Sequence, residues 1–290
     1  MGKLISFDWA IKKILRSKAN FEILEGFLSE LIAPDKDLKI VKILESESNK
    51  ETKDDKLNRV DILVEIEPED LALIEIQVNR ELDFLHRMLY GTSKIITEYL
   101  AEGEAYSKIK KVYSVNILYF DLGQGKDYIY KGTTDFIGMH SQEHLQLSSR
   151  QKNLYKKELI RDIYPEYYII KVNNFNDLAK NTLDEWVYFF KNEDIKSDFH
   201  AKGLIKAKQE FDLLNLTIEE RRAYKRYQEN LHYQASMVES TYGEGRAEEK
   251  REIALNLLRE GLPIETIAKT TGLSIDEVES ISSNKDLNNK

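Results

Sequence analysis

Val60-Asp61-Ile62-Leu63-Val64-Glu65-Ile66-Glu67, then Pro68-Glu69-Asp70, then Leu71-Ala72-Leu73-Ile74-Glu75-Ile76-Gln77-Val78 is the stretch that decides the fold. Two runs rich in β-branched residues flank a tight turn, the pattern of an antiparallel hairpin. Acids among apolar strand residues are costly to bury unless something positive meets them. A loop at Pro68–Asp70 predicts Asp61 opposite Gln77 and Leu63 opposite Glu75. Alternate residues share a face, so Asp61, Glu75 and Gln77 are expected to cluster on one side. Two carboxylates and an amide that close together suit a divalent cation with oxygen ligands. Phosphodiester cleavage can start from such a group.

Working outward, Phe7 to Ile32 has the helical period, with Asn20 as a candidate cap and Pro34 as the stop. Asp37–Leu44 predicts a short strand, followed by a polar loop over 45–55. Beyond the hairpin, Glu81–Ala101 predicts a helix whose apolar stripe is Leu82, Leu85, Leu89, Ile96 and Leu100. Gly103 marks its end, and Lys111–Phe120 is strongly β-prone. Strand, helix and strand in that order predict a right-handed crossover within one sheet. Asp127–Phe136 and Tyr167–Val172 are further strand candidates, the second preceding a helix over Asp177–Lys191. From Asp198 onward the sequence reads as helical: Lys202–Leu214, then Ile218–Tyr242, with Gly243 and Gly245 as punctuation before a helical tail. The expected fold is therefore mixed α/β, with a core over 1–195, a helical extension over 196–245 and a tail over 246–290.

Composition narrows the function. At 41% hydrophobic and 32% charged over 290 residues, the chain has the balance of a folded soluble protein. It has no cysteine, which excludes disulfides and thiolate chemistry and fits a cytoplasmic setting. No apolar run approaches membrane length, and Met1 to Asn20 lacks a signal-peptide core. The five histidines show no zinc spacing, and no glycine-rich phosphate loop occurs, so no nucleotide cofactor is expected. A net charge of −8 argues against nonspecific coating of DNA. Local basic stretches remain: Lys3 to Lys18, then Lys108, Lys110 and Lys111, then Arg150, Lys152, Lys156, Lys157 and Arg161. These leave room for a basic cleft.

Several motifs resemble the Rpn family of recombination-promoting nucleases and transposases, within the PD-(D/E)XK superfamily. They are Asp8-Trp9-Ala10-Ile11-Lys12-Lys13-Ile14, Val60-Asp61-Ile62, Ile74-Glu75-Ile76-Gln77, Arg87 with Tyr90, Gly103 with Tyr106, and the tail from Leu262 to Ser274. The resemblance implies a restriction-endonuclease-like mixed sheet flanked by helices. It also implies Mg²⁺- or Mn²⁺-dependent cleavage of double-stranded DNA, with Asp61, Glu75 and the carbonyl of Ile76 on the metal. Gln77 stands where the superfamily usually has lysine; an amide orients water but does not take its proton. The base is unassigned, with Lys94 one candidate.

Each candidate also has a plainer use. Arg87 and Lys94 share a helix face that could meet DNA phosphate, or pair with neighbouring acids such as Glu98. Arg87 could instead hold Glu75 by a salt bridge. Asp8 is either a supporting acid or a helix cap. Glu65 and Glu67 read as solvated. The tail, Ile264 to Val278, has a helix–turn–helix pattern, but its second helix is acidic, which favours structural or dimer-forming use over phosphate contact. A homodimer would serve double-strand cutting. A binding module that keeps the fold without cutting is the alternative.

Overall fold

A computed structural model describes Leu15 and residues 21–44, 62–212 and 218–287. Asp8, the Asn20 cap, the loop over 45–55 and Asp61 lie outside the described residues. The chain divides into two compact units, Met1–Asn215 and Leu216–Lys290.

In the first unit, α1 (Glu22–Ile32) precedes β1 (Ile40–Leu44), β2 (Ile62–Ile66) and β3 (Asp70–Gln77). Next come α2 (Phe84–Glu98), β4 (Val112–Leu118), β5 (Ile129–Gly132), α3 (Ser149–Tyr155), β6 (Glu166–Lys171), α4 (Thr182–Asn192) and α5 (Leu204–Asp212). The six strands form one sheet in the order β1-β2-β3-β4-β6-β5. β3, β4 and β6 run parallel, and the pairs at either side are antiparallel. The sheet is thus the mixed sheet flanked by helices that the sequence predicts, and α2 is the crossover between β3 and β4.

Period-2 alternation assigns the two faces. Ile62, Val64, Ile66, Ala72, Ile74 and Ile76 point into the main core, where Phe27, Trp186 and Phe190 from α1 and α4 pack. Ring centroids there lie 5.1 Å (Phe27–Phe190) and 5.6 Å (Phe27–Trp186) apart. Leu63, Leu71 and Leu73 take the other face, against Ile95 of α2. Gly26 of α1 lies against the backbone of Lys202, and a Cβ there would stand 2.1 Å from the Lys202 carbonyl oxygen.

Two expectations are corrected. The hairpin loop is Glu67-Pro68-Glu69, not Pro68–Asp70, so Leu63 pairs with Leu73 rather than with Glu75. Asp70 joins the strand opposite Ile66, and its carboxylate pairs with Lys157 at 3.1 Å. On α2, the buried face is Phe84, Met88, Thr92 and Ile95. Leu82, Leu85 and Leu89 are exposed, because the helix turns its aromatic and β-branched side toward the sheet.

In the second unit, α6 (Ile218–Arg259) runs for 42 residues without a break. Gly243 and Gly245 do not interrupt it, since each weakens the helix by only about 1 kcal/mol and the strong helix formers Arg246-Ala247-Glu248-Glu249-Lys250 follow directly. α7 (Ile264–Thr271) and α8 (Ile275–Leu287) follow, joined through Gly272 in the left-handed region at φ 67°. Ala254, Ile267, Val278 and Ile281 form the core of this end. Among the described residues, no helix is long and apolar enough to cross a membrane.

Candidate functional site

Glu75 sits near the C-terminal end of β3, on the α2 face of the sheet, and is 5% exposed. Position 91 of α2 is glycine, which lets the helix pass close over it: a Cβ there would lie 3.9 Å from Glu75 Oε1. Arg87, one turn earlier, brings Nε to 3.6 Å from Glu75 Oε2. The same guanidinium donates from Nη1 to Glu81 at 2.7 and 3.0 Å. Of the two uses read from sequence, the geometry thus shows Arg87 on Glu75. Lys94 pairs with Glu98 at 3.7 Å, one turn along the same helix.

Gln77 ends β3 and lies partly exposed. Its Nε2 donates to Glu81 Oε1 at 2.7 Å and to the carbonyl of Asn79 at 3.3 Å. The amide orientation is thereby set, with Oε1 left as the acceptor. Ile76, between Glu75 and Gln77, buries its side chain in the opposite core.

Asn116 of β4 stands in register with Glu75 and is fully buried. Its Nδ2 donates to the carbonyl of Tyr168 on β6 at 3.1 Å, and to the carbonyl and hydroxyl oxygens of Ser114 at 3.2 and 3.1 Å. Among the described residues, its Oδ1 is buried with no hydrogen-bond partner. A buried amide oxygen without a donor is unfavourable by about 1–3 kcal/mol, and this one lies beside a buried carboxylate. Glu65 is less solvated than expected: Lys110 and Lys42 reach it at 3.1 and 3.3 Å. Burial pushes its carboxyl up, but the two lysines more than offset this and hold it below the usual range.

The sequence singles out Glu75, Gln77 and Arg87, but not Glu81, which bonds to Gln77 and Arg87, or Asn116, in register with Glu75. Glu81 follows Gln77 by four positions just ahead of the helix, and Asn116 is the one amide in the apolar run Val112–Leu118; those were the available signals. Among the described residues, no group of three His, Asp or Glu side chains could hold a metal.

Residues 5–241 match the family described as PD-(D/E)XK nuclease family transposase. The chain belongs to that family. Residues 247–283 match the C-terminal HTH domain of the Rpn/YhgA-like nuclease family. No curated protein and no solved structure matches the chain. The HTH match spans the end of α6, all of α7 and most of α8. Within that HTH domain, Glu277 accepts from the Ser274 amide at 2.7 Å and from its hydroxyl at 2.8 Å. That makes Glu277 a capping-box residue, although it stays exposed. The Ser274 amide, then its hydroxyl, holds the Glu277 carboxyl below its usual range.

Proposed function

We propose that this chain is a metal-dependent DNA endonuclease that hydrolyses phosphodiester bonds in double-stranded DNA. Asp61, Glu75 and the Ile76 carbonyl would hold Mg²⁺ or Mn²⁺. The observation that supports it most is the buried Glu75 carboxylate in register with the orphaned Oδ1 of Asn116. Carboxylate, amide and backbone oxygens are the hard donors that these ions prefer, and Glu75 and the Ile76 carbonyl are of that kind; Asp61 lies outside the described residues. When bound, such an ion polarises the phosphoryl oxygen and lowers the pKa of its water.

The chain's own residues supply position. Arg87 keeps Glu75 from swinging away from the strand end, and Glu81 keeps Gln77 from flipping. Gln77 Oε1 can then accept a hydrogen bond from a water and orient it, without removing its proton. Double-stranded DNA as partner, a role in recombination, transposition or defence against mobile elements, a cytoplasmic setting and a homodimer all follow from this reading. The HTH domain would add DNA contact.

A second reading, a binding module without cutting activity, is favoured by Gln77 in place of lysine. Plasmid cleavage with Mg²⁺ or Mn²⁺ separates the two. Supercoiled DNA should be cut by the wild-type chain, and by neither Asp61→Ala nor Glu75→Gln. Cutting that survives both substitutions, or no cutting with any divalent ion, overturns the endonuclease.

A further inference from the structure

A cavity of about 480 Å³ opens where β4 and β6 begin. Ile109 and Lys111 lead into β4 beside it, and Ile163 and Tyr164 lead into β6. The 3₁₀ turn Tyr106–Lys108 and helix α3 contribute its walls. Leu71 pairs with Val112 at this edge, whereas Glu75 lies four residues further along β3, about 13 Å away. The cavity and the Glu75 site share no residue.

Its lining is largely aromatic and aliphatic, with Lys111, Lys157 and Asp162 as its charged members. Tyr106, Phe136, Tyr155 and Tyr164 face it, and the Phe136 and Tyr164 rings lie 5.4 Å apart at 55°. The volume falls within the usual range for small-molecule pockets, about 300–1,000 Å³. Two basic stretches that are distant in sequence converge here. Some of their charge is spent internally: Lys111 pairs with Glu166 at 2.9 Å, Lys157 with Asp70 at 3.1 Å and Lys152 with Glu158 at 2.9 Å. Lys108, Arg150 and Lys156 are exposed, each adjacent in sequence to a lining residue. Among the described residues, none of the three has a carboxylate partner. Gln151 spends its Oε1 on Ser148, at 3.0 Å to the amide and 2.8 Å to the hydroxyl. Its Nε2 stays available, as does the Ser107 hydroxyl.

A greasy ligand would leave those three cations without purpose, and a bare phosphate would leave the aromatic walls without purpose. A flat heterocycle joined to a phosphate satisfies both. Stacking a base on an aromatic side chain stabilises by about 1–3 kcal/mol. Gln151 and Ser107 can meet the polar edge of the ring. With no glycine-rich loop in the sequence, the phosphate would rest on side-chain cations, which supports binding rather than nucleotide hydrolysis.

We propose that this cavity binds a nucleobase carrying a phosphate, either as a free nucleotide or at the end of a DNA strand.

Calorimetry on the full chain in EDTA tests it, with dAMP, deoxyadenosine, inorganic phosphate and a short 5′-phosphorylated oligodeoxyadenylate as titrants. dAMP should bind at least about tenfold more tightly than deoxyadenosine or phosphate alone, a gap of roughly 1.4 kcal/mol. The double variant Arg150→Glu, Lys156→Glu should weaken dAMP by a similar factor and leave deoxyadenosine unchanged. Both positions are on the surface, so this arm stands even if Tyr164→Ala, expected to weaken both, fails to fold. Glu75→Gln should change none of them. Tighter binding of the strand than of dAMP identifies a strand end as the source, and equal binding identifies a free nucleotide. Absence of heat with both dAMP and the strand overturns the proposal. So does loss of binding in Glu75→Gln, or deoxyadenosine binding as tightly as dAMP.

Discussion

Gln77 donates its Nε2 to Glu81 Oε1 at 2.7 Å, the same oxygen that takes Arg87 Nη1 at 2.7 Å. One carboxylate therefore fixes the amide that would orient water and the guanidinium that holds Glu75. Glu81→Ala should lower kcat for plasmid cleavage about ten- to a hundredfold, the usual effect of losing a supporting partner at a metal site. The melting temperature should barely move, because Glu81 is only partly buried. Wild-type kcat in this variant would show that the bridge has no part in turnover.

Asn116 offers a second handle. Its Oδ1 is a buried acceptor with no donor among the described residues, next to Glu75 across the β3–β4 pair. Asn116→Leu should raise the Mg²⁺ concentration needed for half-maximal cleavage about tenfold. Direct Mn²⁺ titration by electron paramagnetic resonance should show a parallel loss of affinity. Unchanged metal dependence would confine Asn116 to tying β4 to β6.

Glu166 opens β6, the strand next to the outermost β5, and is 6% exposed, with Lys111 at 2.9 Å, Lys131 at 2.6 Å and the Tyr168 hydroxyl also donating to it. Burial alone would push its carboxyl up, but hydrogen bonds from Lys131, Tyr168 and Lys111 bring it below the ordinary value of 4.5. A lowered carboxylate stabilises the fold above that ordinary value, and the contribution fades as pH falls through the lowered one. Glu166→Gln should cost about 3 kcal/mol at neutral pH, since it leaves the buried Lys111 without a counter-charge. The difference from wild type should shrink as pH drops below 4.5. Denaturant titrations at neutral and acidic pH measure both; a pH-independent difference would contradict the assignment.

Gly26 and Gly243 should respond oppositely to alanine. Helix propensity favours alanine by about 1 kcal/mol at both positions. At Gly26 the new Cβ would meet the Lys202 carbonyl oxygen at 2.1 Å, so backbone must shift and a net loss of about 1–3 kcal/mol is expected. At Gly243 nothing lies within 4 Å, and a gain of up to about 1 kcal/mol is expected. Thermal unfolding of the two variants checks the contrast.

The hairpin, the crossover helix and the parallel strand after it were legible because period 2 and period 3.6 alternate cleanly from Ile62 to Leu118. The register was not, because it turns on Asp70, whose carboxylate pairs with Lys157 from far along the chain. The buried side of α2 was misread for a related reason. Leu82, Leu85 and Leu89 and the set Phe84, Met88 and Ile95 both have helical spacing, and only the sheet beneath decides between them. Glu75 could be singled out by its odd place in an apolar run. The tie from Gln77 through Glu81 to Arg87 is set by the chain's path between β3 and α2, which no local pattern encodes.

The two outermost strands of the sheet are short, and each carries a lysine near its middle: Lys42 on β1 and Lys131 on β5. Each reaches a carboxylate on the neighbouring strand, Glu65 at 3.3 Å and Glu166 at 2.6 Å. A foreign strand that tried to extend the sheet would have to strip water from these ion pairs, which guards both margins against aggregation. Any pairing of two copies of this chain is thereby steered away from the growth of a continuous β-ribbon.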